Sequence, residues 1–382
     1  MTTTSNRVWA TIHSQALRHN LAQAAVYCPD AKLIPVIKAN AYGHGMVEVA
    51  RVLSGSPLPV AAFAVATMNE ALALKELKLP HPIVVLNGFI NAEELALCLE
   101  HSLQAVVHSP YQSDLIERAR VGGLFKQPQR FWLKLNSGMN RLGMGASACL
   151  QMCKQLRAIA DVDVVFMSHL AWADELENPD SRAFTDLQLG AFAAAHRAIV
   201  NTSEADLPCS LAASAGILAV PSAQYQFVRP GIMLYGSSPL ASQTGEEIGL
   251  HPAMTLSSRL LAINELDVGD SVGYGASYTC ERPTRVGVVS IGYGDGYPRS
   301  AISGTPVLVK CGDATIRTHL IGRVSMDMIT IDLTGVDRAR IDDEVVLWGE
   351  GLCVDEVAQA AGTIAYELFC KVTSRVPKIY SE

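Results

Sequence analysis

The chain has 382 residues; 49% are hydrophobic, 18% are charged and the formal net charge is −7. This composition excludes a disordered chain, and the acidic balance argues against nucleic acid or an anionic membrane as a partner. No run of about 18 apolar residues predicts a membrane span, and residues 1–7 lack the apolar core of a signal peptide. The nine cysteines form no CxxC pair and the ten histidines show no metal-ligand spacing, so we expect a cytoplasmic protein with reduced thiols and no metal site.

From residue 33 to about 236, strand-like and helix-like patterns alternate. Helical periodicity is clear at 69–77 and 184–200, and eight apolar runs predict buried strands at 33–38, 60–66, 83–87, 104–107, 131–136, 163–169, 209–214 and 227–235. Eight strands with intervening helices are what a closed barrel requires, so we predict an α/β fold with a TIM-like (β/α)8 barrel over residues 13–240. An open doubly wound sheet is the alternative, but it typically has a Gly-x-Gly-x-x-Gly turn after its first strand.

After residue 236 the pattern changes. A turn-rich segment at 237–245 indicates a domain boundary. Runs rich in β-forming residues follow at 254–261, 286–291, 306–309, 315–321, 328–333 and 344–348. We therefore predict a mostly β domain over residues 241–382, with one short helix near 354–361 and an additional strand from residues 7–12.

In a barrel, reactive groups lie at the carboxyl ends of the strands. Lys38 ends the first predicted strand, and an amine there can form a Schiff base with an aldehyde, whereas a snorkelling surface lysine is the alternative. The later strand ends are also polar, with Lys134, Asn136, Arg141, His169, Ser214 and Arg229 in or directly after the fifth to eighth runs. Each of these side chains could be a cap or a satisfied core group, but six at one rim favour a functional site.

Several segments resemble the motifs of alanine racemases, which depend on pyridoxal phosphate. The segment Val-Ile-Lys-Ala-Asn-Ala-Tyr-Gly-His-Gly at 36–45 is the most specific, and further similar blocks occur at 136–143, 227–236, 270–278, 290–297 and 322–327. The resemblance implies that Lys38 carries the cofactor and that Arg229 hydrogen-bonds its pyridine nitrogen. It also implies further cofactor contacts, mostly around the phosphate, from Tyr42, His169, Ser214, Gly231, Ile232 and Tyr366.

For the substrate, the resemblance implies that Arg141 binds the carboxylate, with the backbone N–H of Met326 as a second contact across a dimer. Lys134 matches a lysine that is often carbamylated in relatives. Asn136 stands where an aspartate is usual, which changes the local charge, and a bound inorganic anion is the alternative to the carbamate.

The resemblance also implies a two-base mechanism in a homodimer with shared active sites. Lys38 would take the α-proton from D-alanine, and Tyr274 of the partner subunit would take it from L-alanine. A phenol ionises near about pH 10, so a tyrosine base needs cationic or hydrogen-bonding neighbours, which His169 and Arg229 could provide. Tyr293 matches a residue at the gate of the access channel.

The function expected from the resemblance is therefore alanine racemisation, an isomerase activity that supplies D-alanine as a peptidoglycan precursor or consumes it. Three alternatives remain open at this point: a broad-specificity amino-acid racemase, an amino-acid decarboxylase of the same architecture, and a non-catalytic pyridoxal-phosphate carrier. The decarboxylase is not expected to have the Tyr274 block or the Arg229 contact in this form, and the carrier resembles the barrel alone.

Overall fold

The computed structural model describes residues 6–203 and 207–381. Residues 1–5, for which the sequence predicts no signal peptide, and residue 382, the predicted end of the β domain, lie outside the described residues. No helix within the described ranges is long and apolar enough to cross a membrane.

Eight short parallel strands form the predicted barrel. They are β2 (Lys32–Leu33), β3 (Phe63–Val65), β4 (Ile83–Val85), β5 (Gln104–Val107), β6 (Gln129–Lys134), β7 (Val162–Met167), β8 (Cys209–Ser210) and β9 (Phe227–Val228). Strands β3 to β8 pair in sequence order and β2 pairs with β9. Parallel bridges from Val36 to Ala64 and from Ala213 to Arg229 join the two groups into a ring. The barrel prediction is confirmed, and the open sheet is excluded.

Helices surround the strands because each one has an apolar face. In the helix Met46–Ser54, the buried residues Met46, Val49, Ala50 and Leu53 follow the spacing of one helix face. The elements of the barrel region are α1 (Ser14–Tyr27), α2 (Lys38–Tyr42), α3 (Met46–Ser54), α4 (Met68–Lys75), α5 (Ala92–Glu100), α6 (Tyr111–Val121), α7 (Ala146–Arg157), α8 (Pro179–Ser203) and α9 (Ser214–Ala219).

The C-terminal part is mostly β, as predicted. Its strands are β10 (Met254–Leu266), β11 (Ser271–Val272), β12 (Tyr278–Thr279), β13 (Thr284–Val289), β14 (Pro306–Cys311), β15 (Ala314–His319), β16 (Ile329–Asp332), β17 (Glu344–Trp348) and β18 (Lys378–Ser381). The N-terminal strand β1 (Val8–His13) lies in the same sheet, antiparallel to β10 and parallel to β18. The long strand β10 connects the sheet to β13 and β16.

Several details of the secondary structure differ from the sequence predictions. The strands β11, β12 and β18 were not predicted, and the runs predicted as strands over 33–38 and 209–214 are strands only at Lys32–Leu33 and Cys209–Ser210. Two helices occur near the C-terminus instead of one, α10 (Val354–Ala360) and α11 (Ala365–Lys371). Both helices have only seven residues and no side-chain cap, so each has a weak signal in the sequence, and the second was not predicted. The run predicted as a strand over 227–235 is a strand only to Val228, because its later apolar residues form a buried 3-10 turn, Ile232–Tyr235.

Candidate active site

A cavity of about 1220 Å³ opens at the carboxyl ends of the barrel strands. Loops after several strands, the segment at 237–244 and helices α10 and α11 line it. Ten of the predicted site residues contribute to this one cavity: Lys38, Tyr42, Lys134, Arg141, His169, Ser214, Arg229, Gly231, Ile232 and Tyr366. The structure therefore brings together residues that are up to 328 positions apart, from 38 to 366, in the sequence.

Lys38 begins an unusual turn. The four residues after it, 39–42, have φ angles of +51°, +55°, +54° and +49°, so α2 is a left-handed turn. Left-handed backbone costs about 1–2 kcal/mol per non-glycine residue, or roughly 4–8 kcal/mol for four. Strain of this kind persists only where surrounding contacts enforce it, and such places are often functional sites.

Hydrogen bonds and close packing hold the turn. The N–H of Ala39 donates to Oε1 of Glu70 at 2.7 Å, and the N–H of Met46 donates to Oδ1 of Asn40 at 2.8 Å. Gly43 follows with φ of +80°, and a Cβ at this position would lie 2.1 Å from the carbonyl oxygen of Phe369 in α11. The turn is therefore wedged between the barrel and the C-terminal helices.

Burial lowers the pKa of the Lys38 amine, and the Arg141 guanidinium lowers it further, while Glu70 and Cys370 oppose the shift. The lowered pKa increases the fraction of neutral amine, which is the nucleophilic and basic form. The structure places Lys38 in the cavity at the barrel mouth, and its role as a Schiff-base lysine stays a prediction.

A group of cations surrounds Lys134 at the end of β6. Burial lowers the pKa of Lys134 to about 8, and the next causes are the positive charges of Arg229, Arg141 and Lys38. The same charges act on His169, where burial and then Arg229 lower the pKa to about 3. At neutral pH the imidazole of His169 is therefore uncharged, so it can donate one hydrogen bond but adds no positive charge to the site. The positive charges of Arg229, Arg141 and Lys38 around Lys134 suit an anion at this end of the cavity, although Asp174, Glu247, Asp355 and Glu356 also line the cavity.

Arg229 is 4% exposed and its hydrogen bonds go to neutral oxygens. One terminal nitrogen donates to Oγ of Ser210 at 2.5 Å, and the other donates to the carbonyl oxygens of Ser168 at 2.7 Å and Leu211 at 3.1 Å. Burial lowers its pKa to about 10, so it remains protonated at neutral pH. These neutral acceptors fix the guanidinium at the barrel rim and leave its charge uncompensated.

A small polar part of the cavity, the small polar pocket, lies between the loops after β8 and β9. The N–H of Gly231 donates to Oγ of Ser214 at 2.9 Å. A Cβ on Gly231 would lie 3.0 Å from the hydroxyl oxygen of Tyr42 and 3.8 Å from Oγ of Ser214, so glycine keeps this pocket open. The Tyr42 ring is supported by Tyr235 and Tyr366, with ring centroids 4.8 and 5.9 Å away. Hydroxyl groups at a glycine-containing backbone fit a phosphate group, which is also where barrels commonly bind one.

Three predicted site residues do not line the cavity of the single chain. Tyr274, Tyr293 and Met326 are 69%, 42% and 53% exposed. Tyr293 and Met326 lie on adjacent loops, since the N–H of Gly294 donates to the carbonyl oxygen of Met326 at 2.8 Å. Tyr274 begins a 3-10 turn, Tyr274–Ala276, whose glycine packs on the side chain of Arg323. The loops of Tyr293 and Met326 are adjacent, and exposed apolar side chains that are contiguous are typical of an interaction surface.

Asn136 organises its own loop. Its Oδ1 accepts hydrogen bonds from the N–H groups of Gly138 and Asn140, at 3.1 and 3.0 Å. Its Nδ2 donates to Oδ1 of Asn140 at 2.8 Å. The side chain of Asn136 therefore positions the segment that leads to Arg141.

Two residues that the sequence did not single out support the site. Gln188 is fully buried in α8, and its amide contacts Oγ of Ser137 and the carbonyl oxygen of His169, both at 3.2 Å. Glu70 connects α4 to the turn after Lys38. The Thr67-x-x-Glu70 spacing does signal a helix cap, but no sequence pattern indicates the contact with Ala39.

Known proteins resemble the chain over its whole length. The family models of the alanine racemase N-terminal and C-terminal domains match residues 12–239 and 253–380. Alanine racemases of Nitrosococcus oceani and Pseudomonas taetrolens are 44% and 46% identical, each over 97% of this chain and 98% of the relative. The catabolic alanine racemase of Pseudomonas putida is 45% identical over the same shares of the two chains. The crystal structure of biosynthetic alanine racemase from Pseudomonas aeruginosa matches with a TM-score of 0.89 and 43% identity, over 99% of this chain and 100% of that chain.

Proposed function

This chain belongs to the alanine racemase family, and we propose that it interconverts L-alanine and D-alanine with two bases, Lys38 and Tyr274 of the partner subunit. The observation that carries the proposal is the convergence of Lys38, Arg141 and Arg229 on one cavity at the barrel mouth. Matches to both family domains argue against the barrel-only carrier.

The residues of the cavity fit pyridoxal phosphate. Tyr42, Ser214, Gly231 and Ile232 would hold the phosphate in the small polar pocket, and Lys38 would hold the aldehyde carbon. Further contacts would come from His169 and Tyr366, which line the same cavity. When bound, this cofactor supplies an electron-withdrawing ring that acidifies the α-proton of the substrate.

Arg229 would donate a hydrogen bond to the pyridine nitrogen. Because a guanidinium does not give up its proton readily, it leaves that nitrogen largely unprotonated. Negative charge at the α-carbon is then less delocalised and is protonated promptly, which favours racemisation over transamination. Within the described residues, the hydrogen bonds of the buried Arg229 go to no carboxylate, which supports this role because its charge can act on a ligand.

Arg141 would bind the substrate carboxylate with its planar fork of donors, together with the backbone N–H of Met326 from the partner subunit. The α-carbon would then lie between the Lys38 amine and the phenol of the partner's Tyr274. Lys38 would take the α-proton from D-alanine, and the phenol would take it from L-alanine on the opposite face. One base removes the proton and the other supplies it, so the configuration is inverted.

An anion beside Lys134 would complete the site. Three cationic groups, Arg229, Arg141 and Lys38, lower the pKa of Lys134 there. A carbamate on Lys134, formed when its neutral amine combines with CO2 and releases a proton, would neutralise this charge and fix Arg141. A bound inorganic anion would do the same.

The exposed Tyr274, Tyr293 and Met326 support a head-to-tail homodimer in which each chain completes the site of the other. Tyr293 of the partner subunit would narrow the access channel, and Tyr366 would confine the pocket to a small side chain, in favour of alanine over a broad range of amino acids. No disulfide bond occurs in the described part of the chain, which supports a reducing, cytoplasmic location. Both a biosynthetic and a catabolic relative resemble the chain, and the reaction itself runs in either direction.

The test combines spectroscopy with an assay. The purified protein should absorb in the visible range, and borohydride should attach the cofactor irreversibly to Lys38, as located by peptide mass spectrometry. In a panel of L-amino acids, racemisation of alanine should be fastest. A protein that stays colourless with added cofactor, or that racemises a bulky amino acid faster than alanine, would contradict the proposal.

A further inference from the structure

Glu70 connects a helix cap to the turn that follows Lys38. Its Oε2 accepts hydrogen bonds from the N–H groups of Ala66 and Thr67, at 2.9 and 3.1 Å, which is the capping interaction of α4. Its Oε1 accepts the N–H of Ala39 at 2.7 Å. Both carboxylate oxygens are therefore used, one on the helix and one on the residue next to Lys38.

The contact with Ala39 lies at the start of the left-handed turn. Ala39 has φ of +51°, which is unfavourable for a residue with a Cβ. A charge-assisted hydrogen bond to its N–H offsets part of that cost and fixes the backbone orientation from which the Lys38 side chain extends. Without this contact, the turn would be free to relax toward an ordinary conformation and to redirect the amine.

We propose that Glu70 is a positioning residue for Lys38, and that its carboxylate holds the strained turn so that the amine points into the cavity. This inference rests on the proposed role of Lys38 as the residue that carries the cofactor. Glu70 acts through the backbone of Ala39 and is assigned no contact with the substrate.

The charge of Glu70 also acts on the Lys38 amine. Arg141 lowers the pKa of Lys38, while Glu70 and Cys370 raise it. Lys134 and His169, which also face this part of the cavity, are affected by Lys38 in turn. Glu70 is thus the one carboxylate among the groups that shift the pKa of Lys38 in the described part of the chain.

A glutamine cannot replace Glu70 in both contacts. Glutamine serves in a capping box as well as glutamate does. Its amide has one acceptor oxygen and one NH2 donor, so only one of the two sides, the helix cap or Ala39, can keep its acceptor. The cap side offers two N–H donors and Ala39 offers one, so we expect the amide oxygen of Glu70→Gln to stay on the cap and the contact with Ala39 to be lost.

The chain offers a matched control in Glu94 of α5. Its Oε2 accepts the N–H of Ile90 at 2.9 Å, and its own N–H donates to Oδ1 of Asn91 at 2.8 Å. Glu94 is thus a capping glutamate like Glu70. It does not appear among the groups that affect Lys38.

The experiment compares full-length wild type, Glu70→Gln and Glu94→Gln. Thermal unfolding measures the loss of capping in each variant. The dissociation constant of pyridoxal phosphate is measured by absorbance titration after the cofactor has been removed with hydroxylamine. In the same cofactor-free chains, competitive acetylation followed by mass spectrometry of the Lys38 peptide gives the pH midpoint at which this amine becomes reactive.

We expect Glu70→Gln to weaken cofactor binding by about tenfold, the effect of losing one hydrogen bond to a charged group. The acetylation midpoint of Lys38 should fall, because an attractive negative charge is lost. Glu94→Gln should leave both quantities at the wild-type value. Glu70→Asp, which keeps the charge, should lower the midpoint less than Glu70→Gln, and it provides the same comparison if the glutamine variant folds poorly.

Equal cofactor affinity and equal Lys38 midpoints in Glu70→Gln and Glu94→Gln would overturn the inference and leave the proposed function intact. A wild-type protein in which borohydride fixes no cofactor on Lys38 would contradict the proposed function, and the inference with it.

Discussion

Gly231 faces Tyr42 so closely that a Cβ on Gly231 would lie 3.0 Å from the tyrosine hydroxyl oxygen. The two residues come from neighbouring strands of the closed barrel, Gly231 from the loop after β9 and Tyr42 from the turn after β2. Their separation leaves space between the hydroxyl group and the backbone near Ser214, and this is the space that we assign to the phosphate.

Gly231→Ala should therefore weaken the binding of pyridoxal phosphate. The added methyl group either displaces the Tyr42 ring or fills the pocket, and overpacking of this kind typically costs about 1–3 kcal/mol. Absorbance titration measures the dissociation constant. Gly190→Ala in α8 is the control, because a Cβ there meets no atom within 4 Å, and it should leave cofactor binding unchanged.

Lys134 should make the enzyme respond to anions. In buffer that contains neither bicarbonate nor chloride, we expect a raised KM for alanine. Without an anion, the cations around Lys134 repel Arg141 and turn it away from the substrate carboxylate. Adding either salt should lower the KM, and Lys134→Met should abolish the response. Recovery with bicarbonate alone indicates a carbamate, and recovery with both salts indicates a bound anion. A KM that neither salt changes would contradict an anion site at Lys134.

Lys134 should also affect stability as the pH changes. Its pKa falls from 10.5 to about 8 on folding, so between these values the unfolded chain holds more protons than the folded chain. The free energy of unfolding contributed by this group therefore rises with pH across that window and is lowest below about pH 8. Thermal unfolding at pH 7.0 and pH 9.0, about one unit either side of the folded pKa, should show a rise in wild type that is smaller in Lys134→Met. Parallel pH profiles of the two proteins would contradict this charge assignment.

Much of this architecture follows from the sequence. The eight barrel strands coincide with apolar runs because each strand is buried on both faces and is bounded by turn residues. The lengths of the strands were less predictable. Ile232–Tyr235, for example, are as buried as a strand and therefore have the same apolar pattern, although they form a 3-10 turn. The left-handed turn could not be predicted, because Ala39, Asn40, Ala41 and Tyr42 carry no glycine to signal positive φ.

The residues of the proposed site were also only partly predictable from the sequence. Lys38, Lys134 and Arg229 were predicted because reactive groups lie at the carboxyl ends of barrel strands. Tyr274 and Met326 have no such signal and lie exposed on a single chain, so only the resemblance to a family pointed to them. Glu70 is recognisable as a cap, whereas its contact with Ala39 depends on how two distant loops pack.

Arg229→Glu should change the ratio of the two reactions that the cofactor supports. A carboxylate facing the pyridine nitrogen favours its protonation, which stabilises negative charge at the α-carbon and slows its return to alanine. We expect more pyruvate and pyridoxamine phosphate per racemisation event, measured by chromatography of long incubations. Arg229→Lys, which keeps the positive charge, is the control and should retain a ratio near that of wild type. A ratio that is the same in both variants would contradict the role assigned to Arg229.

The central claim is that each active site combines Lys38 of one chain with Tyr274 of the partner subunit. Lys38→Ala should lose covalent attachment of the cofactor, and Tyr274→Phe should retain it but lose one of the two bases. Each variant alone should be inactive in racemisation. The double variant Lys38→Ala/Tyr274→Phe, mixed with either single variant, is the control and should give no activity.

The decisive measurement is the racemase activity of the two single variants after mixing under conditions that exchange subunits. A heterodimer has one site with both bases and one site with neither. About half of a random mixture is heterodimer and each has one intact site of two, so activity should recover to roughly a quarter of wild type if the sites act independently. No recovery, with subunit exchange demonstrated by native mass spectrometry, would show that both bases come from the same chain.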